Sequence, residues 1–277
     1  MNIIGLGNAG SEIAKNFEIY SQYRVFCIDT ENNGYPTFIK IEYQNSHESY
    51  EKNYKELNLP GIAGPTTLIL SGAGNISGAA LRLLEQLKAC PITVIYVKSD
   101  PGQLASEART REKITFGILQ QYARSALLET LYIVSNKEIE EVVDNLTLKN
   151  YWQDINNVIS STYHMLNVYE NTEPLLNTSP PRGESSRIGT FGVVGYETKE
   201  EKLFYKLQYP RVKKYIYGIN DDLTNNDKNL LHGIRSFAAS QKEEKNEVGF
   251  SIYTTSYEYN HIYAIYYASC IQEQILE

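Results

Sequence analysis

Apolar and polar positions alternate in two rhythms along the first half of the chain. Short apolar runs at residues 2–5, 23–28, 67–70, 92–97 and 130–134 predict strands, and amphipathic stretches at 11–20, 46–57, 78–88 and 106–127 predict helices between them. Strict strand–helix alternation predicts a mainly parallel, Rossmann-like α/β sheet with helices on both faces. Residues 150–170 place Trp152, Ile155, Val158, Ile159, Thr162, Met165, Leu166 and Tyr169 on one helical stripe, which predicts a single long helix. Residues 171–187 then mix three prolines with Ser, Thr and Asn, a strong loop signal. Beyond them, runs rich in Tyr, Ile, Val and Phe at 188–196, 214–219, 248–257 and 263–270 predict strands, with helices at 200–209 and 225–243. The expected organisation is a first domain over 1–149, a central helix and loop over 150–187, and a smaller C-terminal α+β domain over 188–277.

Composition narrows this picture. At 277 residues the chain can bury one large core or two modest ones. It has no apolar run near the roughly 18 residues that read as a membrane span, and MNIIGLGNAG lacks the basic-then-apolar pattern of a secretion signal. The expectation is a cytoplasmic protein without membrane insertion. Cys27, Cys90 and Cys270 are far apart and make no metal-ligand spacing with the four histidines, so reduced, mostly buried thiols are expected. A net charge of −7 argues against general affinity for nucleic acid backbones, and no direct nucleic acid partner is expected. The 23 tyrosines, each with an apolar ring and a polar tip, predict many surface or interface positions.

Chemistry enters at two glycine-rich junctions. Gly5-Leu6-Gly7-Asn8-Ala9-Gly10 is GxGxxG between a predicted strand and helix. Gly5 and Gly7 let the backbone turn tightly and approach a pyrophosphate, whose charge helix-end amides meet. Asp29 ends the second strand about twenty residues on, the place of an acid that holds a ribose. Alone, Gly5, Gly7, Gly10 and Asp29 favour a nicotinamide (NAD) oxidoreductase. A second loop follows strand 67–70: Gly72-Ala73-Gly74-Asn75-Ile76-Ser77, closed by Gly78. Either loop singly is equally well a packing turn. Two of them in one alternating sheet point to backbone nests converging on one polyphosphate.

IIGLGNAGSEIA and SGAGNISGAA resemble the first nucleotide loop and the signature loop of the tubulin and FtsZ superfamily of filament-forming GTPases, and LYIVSNKEIEEV resembles its purine loop. The similarity runs in order over nearly the whole chain, through the long central helix to a C-terminal domain ending in two strands. It implies a guanine nucleotide (GTP or GDP, with Mg2+) over the C-terminal edge of the sheet, in a nucleotide-binding domain formed by residues 1–149. It also implies protomers stacked head to tail as a homopolymer. Carried over by position, Gly5, Gly7, Asn8, Ala9 and Gly10 with Gly72 to Ser77 take the phosphates, and Asn136 contacts the purine. Trp152 stacks on the purine, and Asn157 stands for an acid that reads its Watson–Crick edge. Glu107 and Arg111 match the family's ribose acid and nearby arginine. Indole is a strong stacking surface, and an amide both donates and accepts. On the residues alone, Trp152 is also readable as core, Asn136 as the cap of a helix beginning near Lys137, and Glu107 with Arg111 as a surface i,i+4 pair.

The resemblance fails at the catalytic step. The family's NxDxxD loop sends acids to the next subunit's nucleotide; here Asn177 falls on the asparagine, but Ser179 and Arg182 fall on the acids. Neither is a general base, nor can either hold a cation as a carboxylate does. Glu173, and after it Glu170, supply an acid-x-x-acid spacing slightly upstream and are the catalytic candidates. In the signature loop Ala73 and Ile76 replace glycines, and a β-branched residue disfavours positive φ and blocks close backbone approach. Residues 43–54 lack the family's small-residue γ-phosphate loop. The expectation is a tubulin/FtsZ-like guanine-nucleotide-binding subunit that assembles head to tail with GTP hydrolysis weakened or lost. The alternatives are a non-catalytic structural or regulatory relative with little nucleotide binding, and an NAD oxidoreductase, which leaves the second loop and the Tyr-rich strands without a purpose.

Overall fold

The computed structural model describes residues 1–35, 37–143 and 146–273. Chain order is β1 (Asn2–Leu6), α1 (Gly7–Ala14), β2 (Arg24–Asp29), β3 (Phe38–Lys40), α2 (His47–Lys52), β4 (Thr66–Leu70), α3 (Ala80–Gln86), β5 (Ile92–Lys98), α4 (Ser106–Arg124), β6 (Thr130–Ser135), α5 (Asn136–Glu140) and α6 (Tyr151–Glu170). After α6 come β7 (Leu176–Asn177), β8 (Ile188–Val194), β9 (Glu201–Leu203), β10 (Val212–Asn220), α7 (Asp221–Asn226), α8 (Leu230–Ser240), β11 (Glu247–Thr255) and β12 (His261–Ala268).

Among the described residues the strands form one sheet in the order β3-β2-β1-β4-β5-β6-β8-β12-β10-β11-β7, with β9 on β8. Strands β3 through β6 pair in parallel. The sheet continues through a parallel junction of two pairs, Leu131↔Ile188 and Tyr132↔Gly189. It then turns largely antiparallel, apart from the parallel β10–β11 pair.

Covered on both faces, the parallel strands alternate between two apolar layers. Ile3, Val25, Cys27, Ile69, Ile95 and Val134 face α1 and α6. Ile4, Phe26, Ile28, Leu68, Val94 and Ile133 face the layer that includes α3 and α4. A third cluster packs α8 on β10–β12 through Ile234, Phe237, Tyr215, Tyr217 and Phe250. The mainly parallel α/β sheet, the long central helix and the strand-rich C-terminal part agree with the sequence pattern.

Several local expectations give way. Residues 200–209 are not a helix: β9 pairs with β8, where a Cβ on Gly192 would lie 2.3 Å from the Lys202 carbonyl oxygen, and Phe204 is fully buried. Sheet pairing at a side-chain-free site overrides helical spacing. The helix at 225–243 is two pieces, α7 and α8, parted where the Asp227 carboxylate accepts the Asn229 amide at 2.8 Å. The helix at 46–57 is only α2, capped by Ser46 Oγ accepting from Ser49 N at 3.2 Å. Tyrosine is also more internal than its polar tip suggests. Hydroxyls meet inside at Tyr132–Tyr267 (2.8 Å), Tyr215–Tyr266 (2.8 Å) and Tyr163–Thr67 (2.8 Å), and the Glu201 carboxylate accepts from both Tyr215 and Tyr266. Cys27 is a buried thiol pushed up to about 12, chiefly by desolvation. No described helix is long and apolar enough to cross a membrane.

Candidate functional site

Both glycine loops leave the C-terminal ends of neighbouring strands, β1 and β4, so they stand side by side at one sheet edge. Their glycines do different jobs. A Cβ on Gly5 would lie 2.4 Å from the Gly10 carbonyl oxygen, and one on Gly10 would lie 2.2 Å from that of Ile69. These two let α1 close on β1 and β4. Gly7 alone in this loop has a left-handed φ, +71°, at the turn from strand to helix. Asn8 and Ala9 are exposed, with Asn8 Oδ1 accepting from the buried Tyr35 hydroxyl at 3.2 Å. Tyr35 is itself placed by Asn32 Oδ1, which accepts the Gly34 and Tyr35 amides at 3.0 and 2.7 Å. Nothing in the sequence motif pointed to Tyr35; the Asn-Asn-Gly turn before it was the available signal.

In the second loop a Cβ on Gly72 would lie 2.1 Å from Tyr96 Oη, and one on Gly78 would lie 2.0 Å from the His47 carbonyl oxygen. Both glycines are packing positions. The loop is drawn closed by Ser77, whose buried hydroxyl lies 2.9 Å from the Gly72 oxygen and 2.7 Å from the Gly74 oxygen. Asn75 Nδ2 donates to the Asn45 carbonyl at 3.4 Å. A 3₁₀ turn, Asn75–Ala79, follows in place of a regular α-helical start. Gly7 and Gly74 remain, and each hypothetical Cβ meets a single neighbour within 4 Å, the same atom in both cases: Ile76 Cγ2, at 2.7 and 3.8 Å.

The other candidates gather at this edge. Asp29 ends β2, buried, with Oδ1 accepting from Thr30 N at 2.7 Å; desolvation raises its pKa, and the Thr30 hydrogen bonds oppose that shift. Glu107 is exposed and only 3.8 Å from Arg111, whose Nε donates to the Ala73 carbonyl at 2.9 Å. Arg111 is therefore a brace for the second loop as well as half of an i,i+4 pair. Asn136 lies in the first turn of α5 behind Ser135, and no side chain caps that helix, which removes the cap reading.

Trp152 is not core. It sits one turn before Ile155 and two before Ile159, on the stripe by which α6 covers the sheet, yet it is 62% exposed while those two are fully buried. Tyr151 Oη donates to Glu140, fixing the start of α6 beside α5, beyond the end of β6. The indole thus overhangs the sheet edge. Asn157 is exposed on a different side of α6. Asn156, at i+4 from Trp152, is half-buried and one turn before Ser160, whose hydroxyl accepts at 3.2 Å from Asn16 Nδ2, just past the end of α1. The sequence reading names Asn157 and passes over Asn156; the i+4 spacing from Trp152 is the signal that could have found it.

Two further groups beneath the loops escaped the sequence reading. Lys98 and Glu112 are buried, and Lys98 Nζ and Glu112 Oε2 find no hydrogen-bond partner among the described residues. Glu112 Oε1 accepts the Ser99 amide at 3.0 Å, and Lys98 Nζ lies 4.9 Å from the Phe116 ring centre. Burial lowers the lysine and raises the carboxyl, each partly offset by the other's charge. Glu112 occupies the apolar stripe of α4, which marks it as unusual.

The catalytic candidates lie elsewhere. Glu170 ends α6 and Glu173 follows it, both exposed, at the opposite end from Trp152 of a helix of 20 residues, about 30 Å long. Asn177 Oδ1 accepts the Ser179 amide at 2.8 Å. Arg182 donates to the Glu129 carbonyl and the Thr130 hydroxyl and lies 3.7 Å from the Glu129 carboxylate, a clamp at the start of β6. No cluster of three or more His, Cys, Asp or Glu that could hold a metal ion occurs among the described residues.

No protein-family model and no curated protein matches the sequence. Solved structures match over nearly the whole chain. The empty FtsZ dimer of M. jannaschii has 11% identity and a TM-score of 0.68, over 96% of this chain and 87% of that one. The GTPγS-bound CetZ2 protofilament of Haloferax volcanii has 10% identity and a TM-score of 0.68, over 96% and 92%. The GDP-form TubZ protofilament of Bacillus thuringiensis serovar israelensis has 12% identity and a TM-score of 0.67, over 96% and 86%. The chain has the tubulin/FtsZ fold.

Proposed function

We propose that this protein is a tubulin/FtsZ-like subunit that binds a guanine nucleotide over the C-terminal edge of its sheet and stacks head to tail, with GTP hydrolysis weakened or lost. The observation that carries this reading is Trp152: an exposed indole, met edge-on by the Tyr151 ring, on the sheet-facing stripe of α6 at the edge from which both glycine loops emerge. Asn136 and Asn156 supply amides for a base edge beside it. The relatives in fold include protofilaments with GTPγS and with GDP, which supports the same ligand class and stacking for this chain. Loss of turnover is supported by Arg182, which in the register of the resemblance falls where the family has a trans-acting acid and which is tied to Glu129 and Thr130. Glu173, then Glu170, are the carboxylates available for any residual trans reaction. An oxidoreductase reading leaves the second glycine loop and the likeness to FtsZ, CetZ and TubZ structures without a purpose, while the packing roles of Gly5 and Gly10 are common to both readings.

Trp152 is the single tryptophan of the chain, so its emission reports on this site alone. Guanosine compounds titrated into the purified protein should quench it while adenosine compounds do not, and sedimentation should show protein-concentration-dependent assembly. NAD recovered from the denatured protein, or emission indifferent to every guanosine compound, overturns the reading.

A further inference from the structure

We infer that Ile76 occupies the place of a phosphate between the two glycine loops, so that this site takes guanosine or a guanosine monophosphate in preference to a di- or triphosphate. The inference rests on the proposed nucleotide site and narrows its ligand. Four of the loop glycines are accounted for by close neighbours: Gly5 and Gly10 by α1 and β4, Gly72 by Tyr96, Gly78 by α2. Gly7 and Gly74 are left, the two loop glycines whose side-chain-free faces are not taken up by a strand or helix. One methyl, Ile76 Cγ2, meets both of their hypothetical side-chain positions.

That methyl is held firmly. Ile76 lies in the 3₁₀ turn closed by Ser77, and its side chain packs on the apolar layer that includes Leu70, Ala79 and Leu83. A pyrophosphate spanning the loops would have to displace it. Alternatively it would set charged oxygens against a group that offers no hydrogen bond, in a place where unpaired polar oxygens are disfavoured. The candidates for the base, Asn136, Trp152 and Asn156, stand on α5 and α6 and not on the loop that carries Ile76. The isoleucine also joins the two loops itself, so their contact needs no bound ligand.

Titration of Trp152 emission with guanosine, GMP, GDP and GTP tests this in the full chain. In the wild type, guanosine and GMP should bind at least roughly tenfold more tightly than GDP or GTP, and Ile76→Gly should improve GDP at least roughly tenfold while leaving guanosine unchanged. Ile76→Ala, which keeps the turn's backbone preference, should move GDP the same way by less. GDP binding as tightly as guanosine in the wild type overturns the inference without touching the proposed site, and this comparison does not depend on any variant folding. A GDP-to-guanosine ratio unchanged in both variants overturns it as well. No quenching by any of the four ligands overturns both the inference and the reading beneath it.

Discussion

The two glycine loops sit side by side and spell similar motifs, yet they are built differently. The first turns through a left-handed glycine, Gly7, opens a regular helix of eight residues and leaves Asn8 and Ala9 exposed. The second has no glycine at positive φ among Gly72, Gly74 and Gly78, opens a 3₁₀ turn, and is tied down by Ser77, Arg111 and α2. The first retains the form of a ligand-facing turn. The second has become a closed, internally bonded corner that sends one apolar side chain across to its neighbour. Similar glycine spacing therefore marks where backbones come close, and what they come close to is decided by chain far away in sequence.

Substitutions can break or sharpen this contrast. The largest effect belongs to Gly10→Ala, whose methyl would run into the backbone of the central strand β4. Destabilisation of about 3 kcal/mol in urea unfolding is expected, and a near-neutral result would mean that α1 can lift off the sheet. Ser77→Ala should cost about 1–2 kcal/mol, because it leaves the Gly72 carbonyl without its hydroxyl partner and opens the second loop only. Amide exchange at residues 72–78, with 5–10 as the internal control, would locate that opening.

A pH effect should separate the loops further. His47 packs beneath Gly78 and reaches Thr115 at 3.3 Å, and Thr115 in turn lies 3.4 Å from Ser77 Oγ. Burial is the largest influence on its imidazole and lowers its pKa below the usual 6.5; Glu48 and Glu51 oppose this and Arg111 adds to it. A depressed histidine contributes stability that is fully present above its unfolded value and is lost as pH falls through the folded one. Exchange protection at 72–78, corrected for intrinsic rates, should therefore decline below about pH 6.5 while that at 5–10 holds. The smallest effect is expected for Gly74→Ala, within about 0.5 kcal/mol, since its φ of −79° suits any residue and its new methyl meets only Ile76.

Strand and helix positions in the first half were legible because their pattern is local. Ile3 and Ile4 point to opposite layers, and Trp152, Ile155 and Ile159 share one helical stripe. Residues 200–209 misled because a spacing that suits a helix also places Phe204 in the core once β9 pairs across Gly192. At the site, the residue types were visible and their roles were not. Whether Trp152 is core or shelf depends on where the sheet ends beneath α6. Whether Gly5 serves a ligand or a helix depends on the Gly10 carbonyl. Asn156 rather than Asn157 shares a side with the indole, a difference of one residue that helical geometry decides.

The sheet is bounded by β3, three residues long, and β7, two residues long. Unpaired backbone at a sheet margin is a template on which another chain can add a strand, and such short margins present few of those groups. A broad sheet so closed at its sides is guarded against sideways accretion in a crowded cell. Any association of copies of this chain would have to use surfaces shaped by side chains, where register and partner can be specified.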